Sequence, residues 1–105
     1  MNRRLVVGVM GSGRDRHETL AIPLGKLLAS LHVDLLTGGG QGVMAAVSES
    51  FFHCPQPRGR VIGIIPCQQG QPSVPKDGYP NQWVETAVLT HLSGGLWSSS
   101  LPPWE

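Results

Sequence analysis

The residues best suited to chemistry in this chain lie in two glycine loops. One is Gly11-Ser12-Gly13, after the apolar run Arg4 to Val9. The other is Thr37-Gly38-Gly39-Gly40-Gln41-Gly42, after the run Asp34 to Thr37. Glycine admits positive φ and lets a ligand approach the backbone amides closely. Free N–H groups at a helix start, with the positive end of its dipole, favour an anion. Each loop precedes a stretch with helical periodicity, so together they suggest a phosphate or pyrophosphate cradle. The same glycines would also serve tight strand-to-helix turns, and residue types alone leave both readings open.

Spacing narrows the choice of ligand. Gly40, Gly42 and Ala45 fit the loose G-x-G-x-x-G/A pattern of dinucleotide sites. The ribose-binding acid that should follow about 20 residues on is missing, because that region reads Ile-Ile-Pro-Cys-Gln-Gln. In the first loop Arg16 occupies the third small position. A conventional NAD site is therefore not expected. Cys54, Cys67, His53 and His91 lack the close paired spacing of zinc ligands. Ser12 sits in Gly-Ser-Gly, not in a G-x-S-x-G nucleophile elbow. Asp15, Arg16, His17 and Glu18 read as a solvated helix entrance, and Glu85 and Thr86 as an exposed strand end.

The loops need a scaffold, and the apolar patterning supplies one. Arg4–Val9, Asp34–Thr37 and Arg60–Pro66 are short, nearly continuous apolar runs, as expected for strands buried on both faces. Leu20, Leu24, Leu27, Leu28 and Leu31 recur at helical spacing as one apolar stripe, with Pro23 and Gly25 predicting an irregular or kinked first part. A second helix is predicted from about Gln41 to His53, with Met44, Val47 and Phe51 on one face. Pro55 and Pro57 end it. The order β-α-β-α-β predicts an α/β fold with a parallel sheet. In such a fold ligands bind outside the carboxyl ends of the strands, where both loops lie. Cys67 to Gln82 reads as a polar loop and Trp83 to Leu92 as a short strand. Residues 93–105 read as a tail without a fold of its own.

Composition bounds the remaining classes. A chain of 105 residues supports one domain with a modest core. A net charge of +1 with 14% charged residues argues against nucleic acid as the main partner. The apolar run Leu5 to Met10 is far too short to span a membrane, and two cysteines do not make a disulfide scaffold. The expectation is a soluble cytoplasmic protein.

The segments Val7-Gly8-Val9-Met10-Gly11-Ser12-Gly13, Asp34 to Phe51 and Gly59 to Pro66 resemble the Lonely Guy superfamily, long mislabelled as lysine decarboxylases. The stretch Asp77 to Leu92 looks most like its molybdenum-cofactor carrier branch. The resemblance implies a Rossmann-like three-layer fold, usually dimeric. One branch hydrolyses nucleoside 5′-monophosphates, whereas the carrier branch binds molybdenum cofactor without known turnover. By resemblance, Gly11, Ser12 and Gly13 line the ligand. Thr37, Gly38, Gly39 and Gly40, with Gly42, Val43 and Met44, hold its phosphate.

The hydrolases' P-G-G-x-G-T-x-x-E motif, which supplies the catalytic glutamate, has no counterpart in this chain; Ser93 to Leu101 echoes it only superficially, with Trp97 and Leu101 at odds with the pattern. The chain is accordingly read as the N-terminal half of the fold: a partial domain over residues 1–92, truncated or frame-disrupted. Both helices should lie on one face of the sheet, leaving the other face bare and the first strand as an open edge, so that the chain is marginally stable or self-associates. The functional expectation is a phosphate- or nucleotide-binding module of the carrier type, without catalysis of its own. The alternatives are the N-terminal part of a nucleoside-monophosphate phosphoribohydrolase and a remnant that binds nothing. The expected partner is a phosphorylated small molecule, with neither nucleic acid nor membrane involved.

Overall fold

The apolar runs become neighbouring strands of one sheet. The structure, a computed structural model, describes residues 4–55 and 58–93. β1 (Val6–Gly8), β2 (Asp34–Thr37) and β3 (Val61–Gln68) are joined by α1 (Glu18–Ser30) and α2 (Val43–Phe52). β1 pairs parallel with β2, Val7 opposite Leu35, and β2 pairs parallel with β3, Leu35 opposite Val61. The Trp83–Leu92 run supplies a strand, Thr86–Ser93, which pairs parallel with β3 along Ile62 to Cys67.

The expected parallel pairing holds for these strands, but the loop reading of the next stretch needs correction. The stretch read as a polar loop, Cys67 to Gln82, contains β4 (Gln71–Pro75), which turns back antiparallel on the end of β3. The Thr86–Ser93 strand is therefore β5, and the sheet is mixed. β4 reads Gln-Pro-Ser-Val-Pro and is exposed along its whole length, and its two prolines argue against a strand in the sequence. The turn is made at Gly70, with φ 77°. The tail expected from residue 93 onward falls, after Ser93, outside the described residues.

Cross-strand neighbours share a face, so the register sorts the strands' side chains. The row Val7, Leu35 and Val61 meets the helices, and Leu35 and Val61 are fully buried. Ala46, Val47 and Phe51 of α2 and Ala21, Leu28 and Ala29 of α1 complete that core. Both helices thus cover the same face, as successive right-handed crossovers in one direction require. The other face carries Leu36, Ile62 and Ile64, only partly buried, and Val88, about half exposed. Among the described residues no helix covers it. β1 pairs only with β2 among the described strands and leaves its other edge open.

α1 departs from its leucine pattern. Its buried residues are Ala21, Gly25, Leu28 and Ala29, whereas Leu20, Leu24, Leu27 and Leu31 face solvent. The cause is a close crossing with α2 at Gly25, where a Cβ would stand 2.6 Å from the Val47 carbonyl oxygen. Only the face of small residues allows that approach, because interaxial distance follows side-chain size. The helix also runs unbroken through Pro23, without the expected irregularity.

Glu85, read as an exposed strand end, ties β5 to the start of β3. Its Oε1 accepts from Arg58 Nη1 at 2.7 Å and from the Val61 N–H at 3.0 Å. The Arg58 side chain is only 7% exposed and also donates to the Phe52 carbonyl while lying over the Phe52 ring. Burial pushes the Glu85 carboxyl up, but the hydrogen bonds from Arg58 and Val61 outweigh it and hold the group below the usual 4.5. The folded state therefore binds this proton less readily than the unfolded one. The resulting stability is present above the ordinary glutamate value and is lost as pH falls through the lower folded value. Glu85→Gln should cost about 2 kcal/mol at neutral pH. In urea melts the gap to the parent should narrow as the pH drops below that of an ordinary glutamate.

Candidate functional site

The two glycine loops meet at the carboxyl ends of β1 and β2. The Val43 N–H, the first of α2, donates to the Ser12 carbonyl at 2.9 Å. Gly42, at φ 69° and ψ −132°, makes that contact possible. A Cβ there would lie 2.7 Å from the Gly13 carbonyl carbon and 2.8 Å from the Arg14 nitrogen, both backbone atoms. Ser12 Oγ accepts the N–H groups of Arg14 and Asp15 at 3.1 and 3.0 Å and so closes the first loop.

The second loop is held from behind. Thr37, fully buried, accepts the Gly39 N–H at its Oγ1 at 3.0 Å. Asn81, 5% exposed, donates through Nδ2 to the Gly40 carbonyl at 2.7 Å, and its backbone N–H donates to the Gly39 carbonyl at 2.7 Å. Its Oδ1 accepts the Trp83 N–H. The loop thus has its carbonyls pinned, while the N–H groups of Gly40, Gln41 and Met44 donate to no protein acceptor among the described residues.

Between the loops lies a cavity of about 250 Å³ lined by Met10, Gly11, Gly13, Gly38, Met44 and Tyr79. It brings together Gly11, Gly13, Gly38 and Met44 of the expected site. Thr37, Gly39, Gly40 and Gly42 shape the loop behind it, while Ser12 and Val43 line the adjoining groove between β1 and α1. The lining has no charged side chain, so an anion there would rely on backbone N–H groups and the helix dipole.

Asn81 and Tyr79 are absent from the sequence-based site. Both come from the segment read as a loop, and a buried asparagine carries no periodic signal. The single tyrosine of the chain, inside Gly78-Tyr79-Pro80, was the available clue. Its ring lies so close to the loop that a Cβ on Gly40 would be 3.1 Å from Tyr79 Cε2.

Other chemistry is accounted for structurally. Arg16 pairs with Glu18 and with Glu49 of α2 and so joins the two helices. Cys54 and Cys67 are free thiols, and no group of three His, Cys, Asp or Glu among the described residues could hold a metal. A larger groove of about 530 Å³ runs between α1 and α2, past Ile22, Lys26, His53 and Cys54. It is lined by side chains of two intact helices and lacks the free backbone donors of the smaller cavity, so the loops remain the better site.

Known proteins match this arrangement at the level of family and fold. Residues 4–94 match the model of the SLOG cluster4 family, part of the Lonely Guy superfamily. Among solved structures, the X-ray structure of TM1055, a structural-genomics target, aligns with a TM-score of 0.60 and 26% identity, covering 91% of this chain and 52% of that one. The fold is thus Rossmann-like, and the chain spans about half the length of TM1055. No curated protein sequence matches it. No helix among the described residues is long and apolar enough to cross a membrane.

Proposed function

The chain belongs to the SLOG cluster4 family, and on that premise we propose that its two glycine loops bind the phosphate of a nucleotide-type ligand without turning it over. The observation that carries this reading is the junction of the loops through Val43 and Ser12. It leaves the N–H groups of Gly40, Gln41 and Met44 without protein acceptors at the start of α2. The cavity is a little smaller than the ~300 Å³ at which whole-ligand pockets begin, so it suits the phosphate end. A flat ring would extend over Tyr79. A nucleoside 5′-monophosphate and molybdopterin share that chemistry, a phosphate monoester joined through a saturated unit to a nitrogen heterocycle. The carrier reading rests on a cavity built of backbone N–H groups, methionines and one tyrosine ring, which suits holding a phosphorylated ligand.

A second reading is favoured by the length of TM1055. Here the loops are the phosphate-holding part of a nucleoside-monophosphate phosphoribohydrolase whose catalytic carboxylate lies elsewhere. Calorimetric titration with AMP, ribose 5-phosphate and molybdopterin distinguishes these readings. Saturable binding is expected, and Tyr79→Ala should weaken AMP about tenfold through lost stacking while leaving ribose 5-phosphate unchanged. Release of ribose 5-phosphate from AMP would favour the hydrolase. Absence of binding by all three ligands would leave the glycines as turns alone.

A further inference from the structure

The three glycines of the second loop leave its peptides free to turn, because no Cβ restricts them. Yet three successive peptides there are held. The Gly39 N–H donates to Thr37 Oγ1 at 3.0 Å, which fixes the first. The Gly39 carbonyl accepts the Asn81 backbone N–H, and the Gly40 carbonyl accepts Asn81 Nδ2, both at 2.7 Å. A trans peptide is planar, with its C=O and N–H on opposite sides. Holding the Gly39 carbonyl therefore aims the Gly40 N–H, and holding the Gly40 carbonyl aims the Gln41 N–H. These are two of the N–H groups that lack a protein acceptor among the described residues. Gly40 is itself buried, so its N–H calls for an acceptor.

We propose that Asn81 is the positioning residue of the phosphate site: it points both N–H groups away from itself, toward the bound anion. This rests on the phosphate-binding reading above. Asn81 does not line the cavity, so it acts through the loop. Its own geometry is fixed. It is 5% exposed, and its Oδ1 accepts the Trp83 N–H at 2.9 Å. Exchanging the amide oxygen and nitrogen would set donor against donor at Trp83 and acceptor against acceptor at Gly40. Only one orientation of the side chain therefore satisfies both bonds. The two bonds to the loop act on neighbouring peptides, and donors aimed before the ligand arrives need no reorganisation on binding.

Calorimetric titration of the full chain with inorganic phosphate and with AMP tests this. Asn81→Asp keeps the size and the acceptor for Trp83 but sets a carboxylate oxygen against the Gly40 carbonyl. Both ligands should weaken by the same factor, about tenfold, unlike Tyr79→Ala, which spares the phosphate end. Glu85→Gln lowers stability nearby, through bonds to Arg58 and Val61 and not to the loop. It should bind both ligands as the parent does. In amide nitrogen relaxation the Gly40 and Gln41 order parameters should fall from about 0.85 in the parent to below about 0.6 in Asn81→Asp. If that variant does not fold, the parent decides: exchange of the Asn81 side-chain amide protons should slow several-fold when phosphate saturates the site. Unchanged affinity in folded Asn81→Asp, or Asn81 exchange indifferent to phosphate, would overturn the proposal and leave the phosphate reading standing. A parent that binds neither ligand would overturn that reading and the proposal together.

Discussion

Gly42→Ala is expected to cost about 3 kcal/mol of stability and to weaken phosphate-ligand binding more than tenfold. Two effects add at this position. At φ 69° and ψ −132° an L side chain is strained whatever surrounds it. Its Cβ would also press on Gly13 and Arg14 backbone atoms at 2.7 and 2.8 Å, and on the Ser12 carbonyl nearer still. Backbone cannot rotate aside as a flexible side chain can, so the loops must part and the Val43-to-Ser12 hydrogen bond must lengthen. Against a total stability of only 5–15 kcal/mol, the urea midpoint should fall visibly. Gly13→Ala is the control: nothing lies within 4 Å of its Cβ, so stability should change by less than about 0.5 kcal/mol. If the two alanines behaved alike, the close junction of the loops would be wrong.

Gly25→Ala carries the second large effect, with a sign opposite to helix propensity. In an exposed helix this change would stabilise by about 1 kcal/mol. Here the new methyl would sit 2.6 Å from the Val47 carbonyl oxygen and 3.1 Å from the Phe51 nitrogen, with the Ser50 hydroxyl nearer still. The helices must separate, and the core between Leu28, Ala29, Val47 and Phe51 loosens with them. A net loss of about 2 kcal/mol is expected. Adding Ser50→Ala should recover only part of it, since the two backbone atoms stay in place. A double-mutant cycle measures that coupling at about 0.5–1 kcal/mol. A gain in stability from Gly25→Ala would mean that the helices do not touch there.

These two glycines also mark the limit of what the sequence could reveal. The phosphate-cradle pattern, the missing ribose acid and the β-α-β-α-β order were all legible in it. Strand runs, helix periods and glycine clusters are local properties, readable without knowing what lies across the molecule. The shared face of the two helices followed as well, because the handedness of crossovers is a general constraint.

Only the tertiary structure decided which side of α1 goes inward. The leucine stripe has the stronger hydrophobic signal, yet the narrow crossing with α2 admits only Ala21, Gly25, Leu28 and Ala29. Asn81 and Tyr79 reach the loop from about forty residues away along the chain. β4 pairs with the end of β3, and all five of its residues are exposed. Each of these outcomes depends on steric fit or hydrogen bonding between distant segments, and a periodicity carries no record of it. The sequence by itself determined where bare backbone would stand at the ends of β1 and β2. Folding determined what closes around it, because the groups that pin the loop and line the cavity are brought there by non-local packing.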